Sequence, residues 1–202
     1  MSLEFDAEKH IYTIDGVVVP SVTEVLSILN DFSSVSPAAL QQAARRGTLV
    51  HEYTQLIDYG MDANDIDIEP ELVGYVQAWL QFEHDWQPQW ELIEHKVHCG
   101  KQFAGTLDRL GIIAEKRTLV DIKSSTSPSV RTKIIWAGQL HGYYEALDER
   151  MKPSQIWDVL LKKDGSYSII DGAESETKYG FRAWELWESA LYIYNTLHRR
   201  KA

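Results

Sequence analysis

The segment Gly105-Thr106-Leu107-Asp108, followed twelve residues later by Asp121-Ile122-Lys123, has the clearest chemical capacity in this chain. Side chains alternate between the two faces of a strand, so Asp121 and Lys123 point the same way and Ile122 points into the core. Asp108 belongs to the preceding strand, and an antiparallel return through a turn at 115–117 brings it near position 123 or 124. Two carboxylates and an ammonium group on one sheet face suit phosphodiester chemistry. The carboxylates can hold a hard divalent cation that keeps open positions for water and phosphate. The lysine can orient the attacking water or stabilise charge growing on phosphorus. Gly105 lets the chain pass close to a neighbour or a ligand.

Three further groups stand in a usable order. His51 ends the run Arg46-Gly47-Thr48-Leu49-Val50-His51, and a neutral imidazole is a good ligand beside carboxylates. Glu94 lies in the strand 91–97. Alternation puts Leu92, Glu94, Lys96 and His98 on one face and Glu91, Ile93, His95 and Val97 on the other, which leaves Glu91 as a rival acid. Gln139 and Tyr143 are four apart on a helix and share a face, so an amide and a phenol there can hold phosphate oxygens or the lysine. Arg45, Arg46, Lys101, Arg109, Arg131 and Lys133 are candidate phosphate contacts. The stretch from Ser124 to Ser129 follows the Asp121 strand with hydroxyls and backbone N–H groups for a substrate entrance. Trp86, Trp90 and Trp136 can stack on unpaired bases.

The elements that position these groups follow from periodicity. A hairpin spans 9–19, turning at Asp15-Gly16. Ser21-Val22-Thr23-Glu24 is a capping box. Ser36-Pro37 opens a helix that Gly60 stops, and Pro70 opens another. Strands are expected at 90–98, 102–114 and 118–124, then a helix over 133–149. A hairpin around Asp164-Gly165 and a last helix over 177–200 complete the chain, with the His198 to Lys201 patch at its C-terminus. Helices, a three-strand meander, a helix, two strands and a helix describe an α/β layer fold with a mixed sheet. One domain is expected over 1–202, with an N-terminal hairpin and helices over 1–89, a catalytic core over 90–150 and a C-terminal hairpin and helix over 151–202.

Composition narrows the class. With 202 residues, 44% hydrophobic and 25% charged, the chain can bury a core without staples. Its single cysteine, Cys99, excludes an internal disulfide framework, a four-cysteine zinc site and a cysteine-ligated iron–sulfur cluster within one chain. The N-terminal residues lack the profile of a signal peptide, and no apolar run approaches the ~18 residues that cross a bilayer. A cytoplasmic location is the expectation. The net charge of −10 argues against a non-specific nucleic-acid coat. The charge is uneven: residues 1–100 carry four Lys/Arg against seventeen Asp/Glu, and residues 101–202 carry sixteen against thirteen. Six acids between Asp58 and Glu71 read as a solvated loop.

Taken in order, Arg46 to His51, Glu94, Gly105 to Asp108, Asp121 to Lys123 and Gln139 to Tyr143 resemble the motif series of the PD-(D/E)XK nuclease superfamily, in its RecB-like and phage-exonuclease branch. The resemblance covers roughly residues 5–150, and five short motifs in register make it specific. It implies a restriction-endonuclease-like core, a mixed central sheet flanked by helices. It implies Asp108, Asp121, His51 and the Ile122 carbonyl as metal ligands, with Glu94 supporting them. Lys123 would position the nucleophilic water, and Gln139 and Tyr143 would hold the site and the scissile strand. The implied activity is Mg²⁺- or Mn²⁺-dependent hydrolysis of DNA, as an exonuclease in recombination, repair or phage DNA processing. The expected partners are linear duplex or single-stranded DNA ends, a second copy of the chain, and a single-strand annealing or recombination protein. The alternatives are an endonuclease of the same superfamily and a non-catalytic DNA-binding or assembly protein. A non-catalytic member would normally have lost an acid or the lysine, and here none is missing.

Overall fold

The computed structural model describes residues 1–33, 35–125 and 127–198. They form β1 (Leu3–Asp6), β2 (Ile11–Ile14), β3 (Val17–Val19), α1 (Val22–Leu26), α2 (Pro37–Asp58), α3 (Val73–Trp86), β4 (Gln89–Cys99), β5 (Phe103–Ile113), β6 (Lys116–Ser124), α4 (Val130–Ala146), β7 (Gln155–Leu161), β8 (Tyr167–Asp171), α5 (Gly172–Tyr179) and α6 (Ala183–His198).

The local chemistry explains the boundaries. Ser21 Oγ accepts from the Glu24 N–H at 3.0 Å and the Glu24 carboxylate accepts from the Ser21 N–H at 3.4 Å, which closes the capping box that starts α1. Ser36 Oγ accepts from the Ala39 N–H at 3.3 Å and Pro37 takes the first helical position of α2. Ser129 caps α4 through the Thr132 N–H at 3.1 Å, so this helix begins three residues before the expected start. The expected single C-terminal helix is two. Gly180 at φ 67 closes α5 in the left-handed region, and α6 starts three residues later. Residues 199–201 of the basic C-terminal patch lie outside the described residues, as does Thr126 of the proposed entrance.

The central sheet has the order β4-β5-β6-β7-β8. All its pairs are antiparallel except β6 with β7, which α4 joins as the crossover required of a parallel pair. The sheet is therefore mixed. One core fills the side facing α1, α4 and α6, with Val22, Leu107, Leu110, Leu119, Leu140 and Trp187. The other fills the side facing α2 and α3, with Val50, Val76, Trp79, Phe82, Val120 and Ile122. Successive residues Leu119 and Val120 go to opposite sides, as strand geometry requires. Each such side chain contributes about 1.5–3 kcal/mol by leaving water.

The β5–β6 turn is Ala114-Glu115, with φ 46 and 67, so it is tighter than the turn expected at 115–117. Both residues in the left-handed region make the two-residue connection that strand twist favours. The register is thereby Ile113↔Lys116 through Arg109↔Val120. One step further it sets Asp108 across from Asp121, two or three positions from where sequence spacing placed it. The ladder stops there and the strands diverge. The small sheet β1-β2-β3 attaches beyond the split: the Ala104 N–H donates to Pro20 O at 3.0 Å and Ser21 bridges Ala104 in parallel.

Arg109 and Asp58 correct two sequence expectations. Arg109 is fully buried, so it does not face DNA. Its guanidinium is ion-paired to Asp58, donates to Glu94 Oε1 at 2.9 Å and to Thr54 Oγ1 at 3.1 Å, and lies over the Trp79 ring. Asp58, expected in a solvated loop, has a buried carboxylate that also accepts from Trp79 Nε1 at 2.8 Å. A strand position facing a helix-covered side of the sheet tolerates an arginine only when its donors are taken.

Glu83 lies beside this cluster and accepts from Trp90 Nε1 at 2.8 Å. Burial, helped by the Asp58 charge, pushes its carboxyl up to about 7 from an ordinary 4.5. The folded chain therefore holds a proton that the unfolded chain releases between those values. The contribution of Glu83 to stability is most favourable below about 4.5, falls as pH rises through that window and is level above about 7. Glu83→Gln is expected to raise stability at pH 8 by something on the order of 1–3 kcal/mol and to change little at pH 4. Thermal melts at the two pH values check this; an equal shift at both would contradict it.

Candidate active site

The site forms where β5 and β6 separate. The Ile122 N–H, which the ladder leaves free, donates to Asp108 Oδ2 at 2.6 Å. Asp108 is thus fixed inside the split, with its other oxygen 3.5 Å from His51 Nδ1. His51 comes from the middle of α2. Its Nδ1 lies 3.3 Å from Glu94 Oε1 and its Nε2 3.1 Å from Ile122 O. His51, Glu94 and Asp108 each offer a ligand atom within 4.8 Å of the others. One nitrogen and two carboxylate oxygens at that spacing fit a divalent cation.

Glu94 reaches this place by an irregular route. β4 slips by one residue against β5 between Trp90 and Leu92, and Glu94 itself has φ 46. Plain alternation along β4 therefore fails. Leu92 packs against the α1/α4/α6 core while Glu94 turns to His51 and Arg109. The rival acid Glu91 binds Arg117 at 2.8 and 3.0 Å, away from the site. A non-glycine residue in the left-handed region is costly by about 1–3 kcal/mol and such residues cluster where function needs them.

The second half of the site lies on β6 and α4. Lys123 Nζ is 2.5 Å from Asp121 Oδ2 and donates to Gln139 Oε1 at 2.8 Å. Gln139 Nε2 lies 3.1 Å from both Asp121 Oδ1 and the Tyr143 hydroxyl oxygen. The expected i, i+4 pairing of Gln139 and Tyr143 is present, and it grips Asp121 and Lys123 together. A Cβ at Gly105 would stand 2.8 Å from Tyr143 Cε1, so this glycine is what lets the tyrosine ring lie against β5.

The electrostatics follow from crowding. Burial, the Asp121 charge and Glu94 push the Asp108 carboxyl up to about 7, against the pull of His51. Burial pulls the His51 imidazolium down, yet Asp108, Glu94 and Asp121 together outweigh it and raise it to about 9. Burial opposes the Lys123 charge too, but Asp121 and Asp158 overcome it and hold the ammonium protonated. Excess negative charge with a captured proton is what a bound cation would relieve.

Asp158 is a site residue that the sequence reading missed. It pairs in register with Asp121 on β7, is buried, and its Oδ1 has no hydrogen-bond partner among the described residues. Burial, with Asp121 and Asp108 nearby, drives its carboxyl well above the usual range. The one signal for it is a lone charge within Ile156-Trp157-Asp158-Val159-Leu160-Leu161.

The basic residues are mostly occupied. Arg45 is ion-paired to Glu69 and lies 3.7 Å from Glu71. Arg46 donates to Ser124 O at 3.3 Å, which ties α2 to the end of β6. Arg131 donates to Leu29 O at 2.6 Å. Lys133 is half-buried on the first turn of α4. Trp86 packs edge-on against Trp157 and Trp90 stacks on Trp79, each half-buried, while Lys123 Nζ lies over the Trp136 ring, 5.2 Å from its centroid.

No helix among the described residues is long and apolar enough to cross a membrane. No curated protein matches the chain. Among solved structures, the chain is similar to one titled "Crystal structure of SSO0001", with 14% identity, a TM-score of 0.30 and coverage of 66% of this chain and 66% of that one. That likeness is too slight to carry an argument. A family model described as the PD-(D/E)XK nuclease superfamily matches residues 25–191. That span includes α2, the split between β5 and β6, and the Gln139 helix. The chain belongs to the PD-(D/E)XK nuclease superfamily.

Proposed function

We propose that the chain is a Mg²⁺- or Mn²⁺-dependent deoxyribonuclease that degrades DNA from ends, in recombination, repair or phage DNA processing. The observation that carries the reading is the convergence of His51, Glu94 and Asp108 within 4.8 Å beside the Asp121–Lys123–Gln139 group.

A divalent ion here would supply a water of lowered pKa and charge to offset the phosphate. His51, Glu94 and Asp108 would hold it, with the Ile122 carbonyl beside His51 Nε2, and Asp121, whose oxygens meet Lys123 and Gln139, would complete the set from β6. Lys123 stands beside Asp121 as the donor that orients a water or meets charge growing on a phosphate oxygen. Gln139 keeps that ammonium in place through its carbonyl and keeps Asp121 in place through its amide. Tyr143 fixes the amide in turn. Arg46 and Ser124 mark the edge at which the strand would enter.

The test is incubation with end-labelled linear DNA and closed-circular DNA, with Mn²⁺ or Mg²⁺ and with EDTA. Metal-dependent loss of the linear form alone is expected. Cleavage of the closed circle would assign an endonuclease of the same superfamily. Cleavage in EDTA, or none with either metal, would overturn the proposal.

A further inference from the structure

We infer that Phe5 and His10 form a base-stacking platform at the mouth of the metal cavity, and that the substrate strand enters unpaired. The inference rests on the nuclease reading and names its substrate class. Phe5, His10 and Tyr12 line the same cavity of about 520 Å³ as His51, Glu94 and Asp108. That volume falls within the roughly 300–1,000 Å³ of small-ligand sites, the scale of a nucleotide rather than of a duplex.

The three aromatic groups differ in what holds them. Tyr12 is buried, and its hydroxyl is 2.8 Å from Thr106 Oγ1, so it is a fixed backing. Phe5 stacks on it, with centroids 4.5 Å apart and planes at 30°, and is only half-buried. His10 is exposed and meets the Phe5 ring edge-on at 5.2 Å and 87°. Packing does not call for an exposed imidazole there. The turn nevertheless holds His10 at φ 53, in the left-handed region, with the Lys9 N–H bound to Asp6 Oδ1 at 3.1 Å. Lys96 Nζ lies over the Phe5 ring, 5.7 Å from its centroid, an ammonium on a flexible stem that a base arriving at that face would displace toward its phosphate.

Unpaired substrate follows from two considerations. A π-face can meet a side chain only when its base is unstacked, and such stacking tolerates any sequence. A duplex is gripped chiefly through phosphates by free Lys and Arg. Here Arg109 is buried on Asp58, and Arg45 and Arg131 already meet Glu69 and Leu29 O, in a chain of net charge −10. An aromatic grip suits such a chain better than an arginine track.

The test is the anisotropy of fluorescein-labelled (dT)12 and of a blunt-ended DNA hairpin, with Ca²⁺ present, on the wild type, Phe5→Leu, His10→Ala and the double variant. Phe5→Leu keeps an apolar group against Tyr12 while removing the ring face, and thermal melts verify folding. The wild type is expected to bind (dT)12 more tightly than the hairpin. The double variant should bind (dT)12 roughly tenfold more weakly, with hairpin affinity unchanged. His10→Trp should restore or tighten single-strand binding. Equal wild-type affinity for both DNAs, or a double variant that binds (dT)12 normally, would overturn the inference. Binding is read without cleavage, so platform-dependent binding by a chain that cuts no DNA would defeat the nuclease reading and leave the platform standing. Normal (dT)12 binding by the double variant of a chain that does cut DNA would do the reverse.

Discussion

Asp121→Asn is expected to reduce DNA hydrolysis by a factor on the order of 10² to 10³ while the chain stays folded. The reason lies in how Asp121 is held. Its Oδ1 accepts from Gln139 Nε2 at 3.1 Å, a bond that an asparagine carbonyl can keep. Its Oδ2 lies against Lys123 Nζ, and that charge contact is what the substitution removes. The shape of the site survives and its charge does not. Lys123→Ala should abolish cleavage, and with a cost to folding. The ammonium is the cation nearest two buried carboxylates, Asp121 and Asp158. Stranding them uncompensated costs several kcal/mol, partly relieved by proton uptake. Rates on linear DNA, with near-ultraviolet circular dichroism as the folding control, check both variants. Asp121→Asn with wild-type activity would remove Asp121 from the chemistry.

The largest loss of stability is expected at Arg109. Arg109→Met removes a cation that is 0% exposed and leaves Asp58, also 0% exposed, and Glu94 without their partner. Breaking one side of such a buried pair costs about 3–5 kcal/mol. Arg109→Lys should recover only a fraction of this, because a single ammonium cannot serve Asp58, Glu94 and Thr54 as the guanidinium does. Urea unfolding of the three proteins measures the losses. An Arg109→Met variant as stable as the wild type, with weaker DNA binding, would return Arg109 to the surface role that its charge suggested.

Much of the fold was legible because local signals agreed. Ser36-Pro37 and Gly60 bound α2, the Ser21 capping box starts α1, and Asp15-Gly16 and Asp164-Gly165 turn two hairpins. What escaped depended on tertiary context. Asp108 stands opposite Asp121 because Ala114-Glu115 makes a two-residue turn, and neither residue is a usual left-handed former. Glu94 turns into the site at its own left-handed backbone position, φ 46, a few residues after β4 slips against β5, and neither event leaves a mark in the alternation of residues 91–98. A lone arginine in an apolar strand looks the same whether it reaches solvent or a buried aspartate fifty-one residues away. The residues named from the motif series lie in two groups, His51–Glu94–Asp108 and Asp121–Lys123–Gln139–Tyr143, which meet through the bond of the Ile122 N–H to Asp108. The third aspartate, Asp158, was hidden in a strand whose neighbours are all core residues.

If side chains from α2, β4 and β5 grip one divalent ion, the protein must bind that ion without DNA. Electron paramagnetic resonance of Mn²⁺ titrated into the wild type and into Asp108→Asn measures this. Saturable loss of the free Mn²⁺ signal is expected with the wild type at pH 8, and at least roughly tenfold weaker binding with the variant. Equal binding by the two proteins, or none by the wild type, would contradict a shared ion at His51, Glu94 and Asp108.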